Sequence, residues 1–226
     1  MLIAALVTAL GAGQAMTAED VWWTPKLHVS SLSSIAERMQ VPFEDKVAVH
    51  KGEASAMITN CADYLTYAPQ HYEPGSDLEL RVLRSWGTDC RALDALKEAV
   101  PAKRSFMRGF RLDAKALEYL PPQLSGAVSS EEIRRAEEAG KRGLSWRQYQ
   151  RNSRTEGEGD HMTVVNGPTR TELEIYARGD FNHDGTEDML LREDTSITGG
   201  TYSDSRLFLL TRSAPNAKLK IVKKYE

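Results

Sequence analysis

Residues 180–188 read DFNHDGTED, and the fold of this chain is best approached from them. Oxygen-bearing side chains stand at alternate positions, Asp180, Asn182 and Asp184, then again at Asp188, with Gly185 directly after the third. Alternate side chains converge when the backbone curls around a point, and the residue after the third ligand must turn sharply. Glycine does this without strain, because it adopts positive φ freely. Hard cations such as calcium take about six to eight oxygens at roughly 2.3–2.6 Å. The pattern therefore predicts a Ca2+ loop with side-chain ligands Asp180, Asn182, Asp184 and Asp188 and the backbone carbonyl of Thr186. Glu193 or Asp194, just beyond, are candidates to complete the shell. The three ligand carboxylates, crowded into nine residues, repel one another, so a bound cation would stabilise the fold.

The flanks decide what kind of loop this is. Residues 171–177 alternate, with Leu173, Ile175 and Ala177 on one face, and residues 189–191 are apolar. Both read as strands. An EF-hand would need helices here and a glutamate at its twelfth position, where this chain has Leu191. DxNxDGxxD between two strands resembles the calcium loops of FG-GAP and VCBS-type repeats, a resemblance confined to about 15 residues. It implies a structural ion rigidifying a hairpin. The motif occurs once, so neither a propeller nor a dockerin is expected.

Downstream, residues 206–211 (RLFLLT) form a buried-type strand, residues 214–217 a turn, and residues 219–222 a last strand. The back of the chain thus reads as an antiparallel β-meander over 156–226. Upstream, helical periodicity appears over residues 30–39, 54–67, 78–86, 92–100 and 113–120. Residues 129–152 form a charged stretch opened by Ser129 and Glu132 at capping-box spacing. Residues 151–159 read as a loop. The expectation is an α+β chain with a mainly helical N-terminal half (19–155) and the calcium-loop meander behind it. Of the adjacent Trp22 and Trp23, one should pack and the other lie outside, since strand side chains alternate.

Residues 1–12 read MLIAALVTALGA and the first charged side chain is Glu19. The run is shorter than the roughly 20 apolar residues that cross a bilayer. It matches the apolar region of a signal peptide over 1–18, with small residues at Gly13 and Ala15 and again at Ala18 for cleavage. No lysine or arginine precedes it. Export would place the chain in the periplasm or outside the cell, where Cys61 and Cys90 can pair. The loop so closed stabilises by about 3–4 kcal/mol on the chain-entropy view. A reactive thiol is the alternative reading, and His71 is the nearest histidine in sequence.

The net charge of −3 is too mild to suggest nucleic acid as partner. There is no GxSxG, no HExxH and no phosphate-cradling glycine loop. His161, after Asp160, is an acid–base candidate by residue type alone. Trp146 and Tyr149 beside Arg147 have the composition of an interface. Taken together, these features favour an exported, calcium-stabilised, non-catalytic protein that binds or inhibits a protein partner, as an immunity protein does. An extracytoplasmic hydrolase with structural calcium and an envelope or adhesion component are the alternatives.

Overall fold

The computed structural model describes residues 20–225, so the leader read over 1–18 lies outside the described residues. The C-terminal half is an antiparallel meander, as its alternating pattern requires. Its strands are β5 (Arg154–Glu156), β6 (His161–Asn166), β7 (Thr169–Gly179), β8 (Asp188–Ile197), β9 (Ser203–Thr211) and β10 (Lys220–Tyr225), hydrogen-bonded in sequence order. The predicted linker at 151–159 contains β5, an edge strand. Near the N-terminus, β1 (Trp22–Trp23) pairs with β7, with Trp22 opposite Arg178. Trp22 is exposed, whereas Trp23 packs against the core and donates its Nε1–H to the Val29 carbonyl at 2.9 Å.

The mainly helical front half is not what forms. Helix and strand take equal shares, 31% each, and apart from one 21-residue helix the helices are short and scattered. Residues 54–67, read as one helix, split into strand β3 (Ala54–Ile58) and helix α2 (Cys61–Tyr67). Asn60 makes the break: its side chain accepts the Asp63 N–H at 2.9 Å and caps α2, fixing the start of the helix one residue later. Strand β2 (Val47–Lys51) pairs with β3 as a hairpin and with β4 (Glu73–Pro74) on its other side. Residues 30–39 form a 3-10 turn followed by α1 (Ile35–Arg38), and residues 113–120 hold only a 3-10 turn.

One long helix, α3 (Asp77–Lys97), joins the two stretches read separately at 78–86 and 92–100. Gly87 lies within it because the Tyr64 ring fills the space of a side chain: a Cβ there would stand 2.2 Å from the Tyr64 hydroxyl. The Cys61–Cys90 disulfide forms, buried, and ties α2 to α3. The charged stretch becomes α4 (Ser130–Lys141), with the Ser129–Glu132 capping box made, and a separate turn α5 (Trp146–Tyr149).

The sheet is covered on both faces. Leu207, Leu209 and Leu190 pack with Leu83, Cys90, Leu93 and Leu96 of α3 and with the small front sheet. Leu173, Ile175, Met189, Leu191, Phe208 and Leu210 pack with Leu112, Leu117, Leu120 and Trp146 on the other face. This explains why RLFLLT is continuously apolar: a strand buried on both faces has no solvent side on which to place polar residues. Trp146 is fully buried and donates to Gln150 Oε1 at 2.9 Å, so it belongs to the core and offers no interface.

Candidate functional site

The acidic loop lies between β7 and β8, at the end of the sheet's central hairpin. Its strand-loop-strand setting is the one its flanks require. Asp180 follows β7 and exchanges two backbone hydrogen bonds with Val100, at 2.9 and 3.1 Å. Thereafter the loop is drawn tight by its own side chains. Asp180 Oδ1 accepts the N–H of Asp184 at 3.2 Å and Oδ2 that of Gly185 at 2.8 Å. Asn182 Oδ1 accepts the Asp184 N–H at 2.9 Å, and Asp184 Oδ1 accepts the Thr186 N–H at 2.7 Å. Such turns are the ordinary habit of Asp and Asn. Gly185 takes φ +80°, the left-handed conformation that the sequence demanded of it.

A second strap holds the loop from outside. The segment after α3 runs beside it: the N–H groups of Lys103 and Arg104 both donate to the Gly185 carbonyl, at 3.0 and 3.1 Å, and Arg104 Nε donates to Thr186 Oγ1 at 3.0 Å. Ser105 hydrogen-bonds Glu187. Nothing in the sequence of residues 100–105 announces this pairing, because its backbone and side-chain bonds join segments about 80 residues apart.

Asp180 and Asp188 are buried, while Asn182 and Asp184 are exposed. Asp188 has no accessible surface. Its Oδ2 accepts the Phe181 N–H at 3.3 Å, but its Oδ1 is buried with no hydrogen bond of acceptable geometry. Burial pushes the Asp188 carboxyl up to about 6. The nearby Thr211 hydroxyl and the Phe181 N–H pull it down, and Asp184 and Asp180 raise it further. Among the described residues no three His, Cys, Asp or Glu side chains stand together as a ready metal cage, so Asp180, Asp184 and Asp188 share a loop without closing on one point. Glu193 and Asp194 do not reach the loop. Glu193 is bound by Arg206 at 2.6 Å and Asp194 by Arg192 at 2.6 Å.

On the α3 face of the sheet a cleft of about 260 Å³ gathers Lys26, Asp89, His161, Glu172, Glu174, Tyr176, Arg192 and Asp194. Sequence reasoning singled out only His161 and, for the calcium shell, Asp194 among these, since they come from five separate elements or loops. Every carboxylate here has a cation. Arg192 holds Asp89 at 2.8 Å as well as Asp194, Arg170 holds Glu172 at 3.0 Å, and Lys26 holds Glu174 at 2.8 Å. Arg192 also donates to the Tyr176 hydroxyl at 2.6 Å and to Ser85 Oγ at 3.0 Å, while Tyr176 donates to Asp89 at 2.9 Å. Burial pushes Asp89 up, with Arg192 opposing. The arrangement is a pin between α3, β7 and β8.

No family model, curated protein or solved structure matches this chain. Among the described residues no helix is long and apolar enough to cross a membrane, and with the disulfide this is compatible with an exported protein.

Proposed function

We propose that this chain is an exported, non-catalytic binding protein whose loop at residues 180–188 holds calcium as a structural ion, through the side chains of Asp180, Asn182, Asp184 and Asp188 and the Thr186 carbonyl. The observation that carries the calcium reading is the orphaned, buried Oδ1 of Asp188 in a loop that already contains Asp180 and Asp184. A buried carboxylate oxygen without a donor is costly, and a hard cation is the partner that oxygen donors of this kind satisfy. The donor set fits calcium in chemistry, in sequence spacing and in its glycine turn, while its carboxylates do not yet converge on one point. To close the cage, the exposed side chains of Asn182 and Asp184 exchange their local backbone hydrogen bonds for the ion. The ion's place at the tip of the central hairpin supports a structural role.

The non-catalytic reading draws on the cleft at Arg192. A general base or nucleophile needs a carboxylate or imidazole that can engage a substrate, and there each carboxylate is held by a lysine or arginine. The partner we infer is a protein, and neutralisation of a secreted toxin is one form that such binding takes. The test has two arms. Calcium should raise the melting temperature of the chelator-treated protein, and a melting curve indifferent to calcium would remove the ion. The calcium-loaded protein used as bait in extracts of its native source should recover one protein in a defined stoichiometry, reconstituted from the two purified components. Turnover of a glycan, peptide or phosphate ester by the purified protein would instead establish the hydrolase alternative.

A further inference from the structure

Arg212 follows β9 directly and is 6% exposed. A guanidinium taken out of water is costly unless something answers its charge, and among the described residues no carboxylate pairs with it. Its partners are neutral: Nε donates to the Ala217 carbonyl at 2.9 Å and Nη1 to the Phe106 carbonyl at 3.3 Å. The rings of Phe110 and Tyr119 lie 5.3 and 4.8 Å from its central carbon. Rings and carbonyls position a guanidinium, and the cation–π contribution offsets part of the desolvation, but they leave its full charge in place. Burial accordingly pulls the Arg212 pKa below the usual arginine value.

The side chain forms part of the wall of a cleft of about 190 Å³, which Arg111 and Lys115 also line. Both are exposed. One acid, Asp113, shares the wall, and its Oδ1 is occupied by the N–H groups of Lys115 and Ala116, at 2.8 and 2.9 Å. Among the described residues Arg111, Lys115 and Arg212 stand against Asp113, an excess of two positive charges before Arg108 on the same wall is counted, around a space smaller than the roughly 300 Å³ at which drug-sized ligand sites begin. With Nε and Nη1 each giving one hydrogen to a carbonyl, the fork keeps both Nη2 hydrogens and one on Nη1, donors of the kind that phosphate oxygens take two at a time.

We propose that this cleft is an oxyanion site for a phosphate dianion, free or as the terminal group of a phosphomonoester, with Arg212 as the fixed anchor and Arg111 and Lys115 as the outer cations. A dianion matches the charge left over, so a carboxylate monoanion should bind more weakly. The cleft shares no lining residue with the calcium loop.

The experiment is a titration of the full chain with inorganic phosphate in calcium-free buffer, read by calorimetry and by the amide resonances of residues 108–119 and 212–216. Saturable binding with shifts confined to those residues is expected, with acetate about tenfold weaker or more, as loss of one charge-assisted contact implies. Glycerol phosphate binding as tightly as phosphate would point to the terminal group of an ester as the natural ligand, and marked preference for inorganic phosphate would point to the free ion. R212Q should abolish binding. Because that change disturbs a buried residue, R111Q combined with K115Q provides a surface variant that keeps the fold, and it should weaken binding at least tenfold. No saturable binding to the wild-type protein, or binding that the surface variant leaves unchanged, would overturn the site.

Discussion

Strand β8 buries two carboxylates completely, Asp188 at its start and Glu193 at its middle, and they meet the cost differently. Glu193 faces the second core, where Arg206 of the neighbouring strand reaches it at 2.6 Å and Thr195 Oγ1 donates to the same oxygen, also at 2.6 Å. Burial pushes its carboxyl up and Arg206 opposes the shift. Asp188, five residues earlier, has no cation beside it among the described residues and two aspartates in its loop. Each leaves one oxygen without a hydrogen bond, so hydrogen bonding does not separate them. What separates them is the source of positive charge: one counter-ion is encoded in the sequence, and the other, on our reading, comes from solution. The fold around Glu193 should therefore be indifferent to calcium, and the fold around Asp188 should depend on it.

The largest effect should come from breaking the encoded pair. R206M leaves Glu193 buried without its cation, and loss of one partner of such a pair costs about 3–5 kcal/mol. Denaturant unfolding with and without calcium should show the same loss in both. Recovery of R206M by calcium would mean that the two carboxylates are not separate. E193L with R206M should restore most of the stability, because packed apolar side chains replace a buried pair well.

Next in size is the covalent clamp between α2 and α3, which shares no hydrogen-bond or ion-pair partner with either carboxylate among the described residues. Replacing Cys61 and Cys90 by alanine frees a 29-residue separation, for about 3–4 kcal/mol by loop-closure entropy. This loss should add to the calcium effect without interaction, since additivity is the rule for sites without shared partners. A clear coupling between the two would show that the loop's strap at residues 103–105 transmits order from α3.

The calcium effect itself should be somewhat smaller, about 2–3 kcal/mol with the ion at 100 times its dissociation constant. D180A with D184A should erase that difference, and the variant's melting curve in calcium should coincide with its curve in chelator. D188N offers a finer cut. In chelator it relieves a buried charge and should hold or raise stability, whereas in calcium it should lose part of the gain. If D188N were equally destabilising in both conditions, the orphaned oxygen would not be an ion ligand.

The same contrast explains which parts of the molecule were legible in the sequence. Features whose cause lies within about ten residues could be read: the loop of residues 180–188, the alternation that becomes β7, the unbroken apolar run of β9, and the Ser129–Glu132 cap. The β2–β3 hairpin could not, because Met57, Ile58, Cys61 and Leu65 fit a helical stripe as well as their true arrangement. The choice was made by Asn60 capping a later start and by β2 offering a partner. The strap at Lys103 and Arg104, the ion pair of Arg192 with Asp89 and the cleft at Arg212 were invisible for a different reason. Each joins residues about 80 or more positions apart, or about 100 in the case of Arg212, and no local pattern of charge or hydrophobicity records a contact made only by the finished sheet.

The smallest effect tests the loop's path and leaves its charge alone. Gly185 holds φ +80°, and a Cβ added there would approach Lys103 Cδ no closer than 3.4 Å, an ordinary contact. G185A should therefore cost only the backbone strain, about 1 kcal/mol. Because calcium ligation requires the same turn, that loss should appear in chelator and grow in calcium, where affinity for the ion falls as well. Measuring both conditions side by side separates the two contributions. A G185A protein equally destabilised with and without calcium would show that the turn serves only the hairpin. A loss that grows in calcium would tie the glycine to the ion at the Asp188 end of β8, where the sequence supplies no counter-ion of its own.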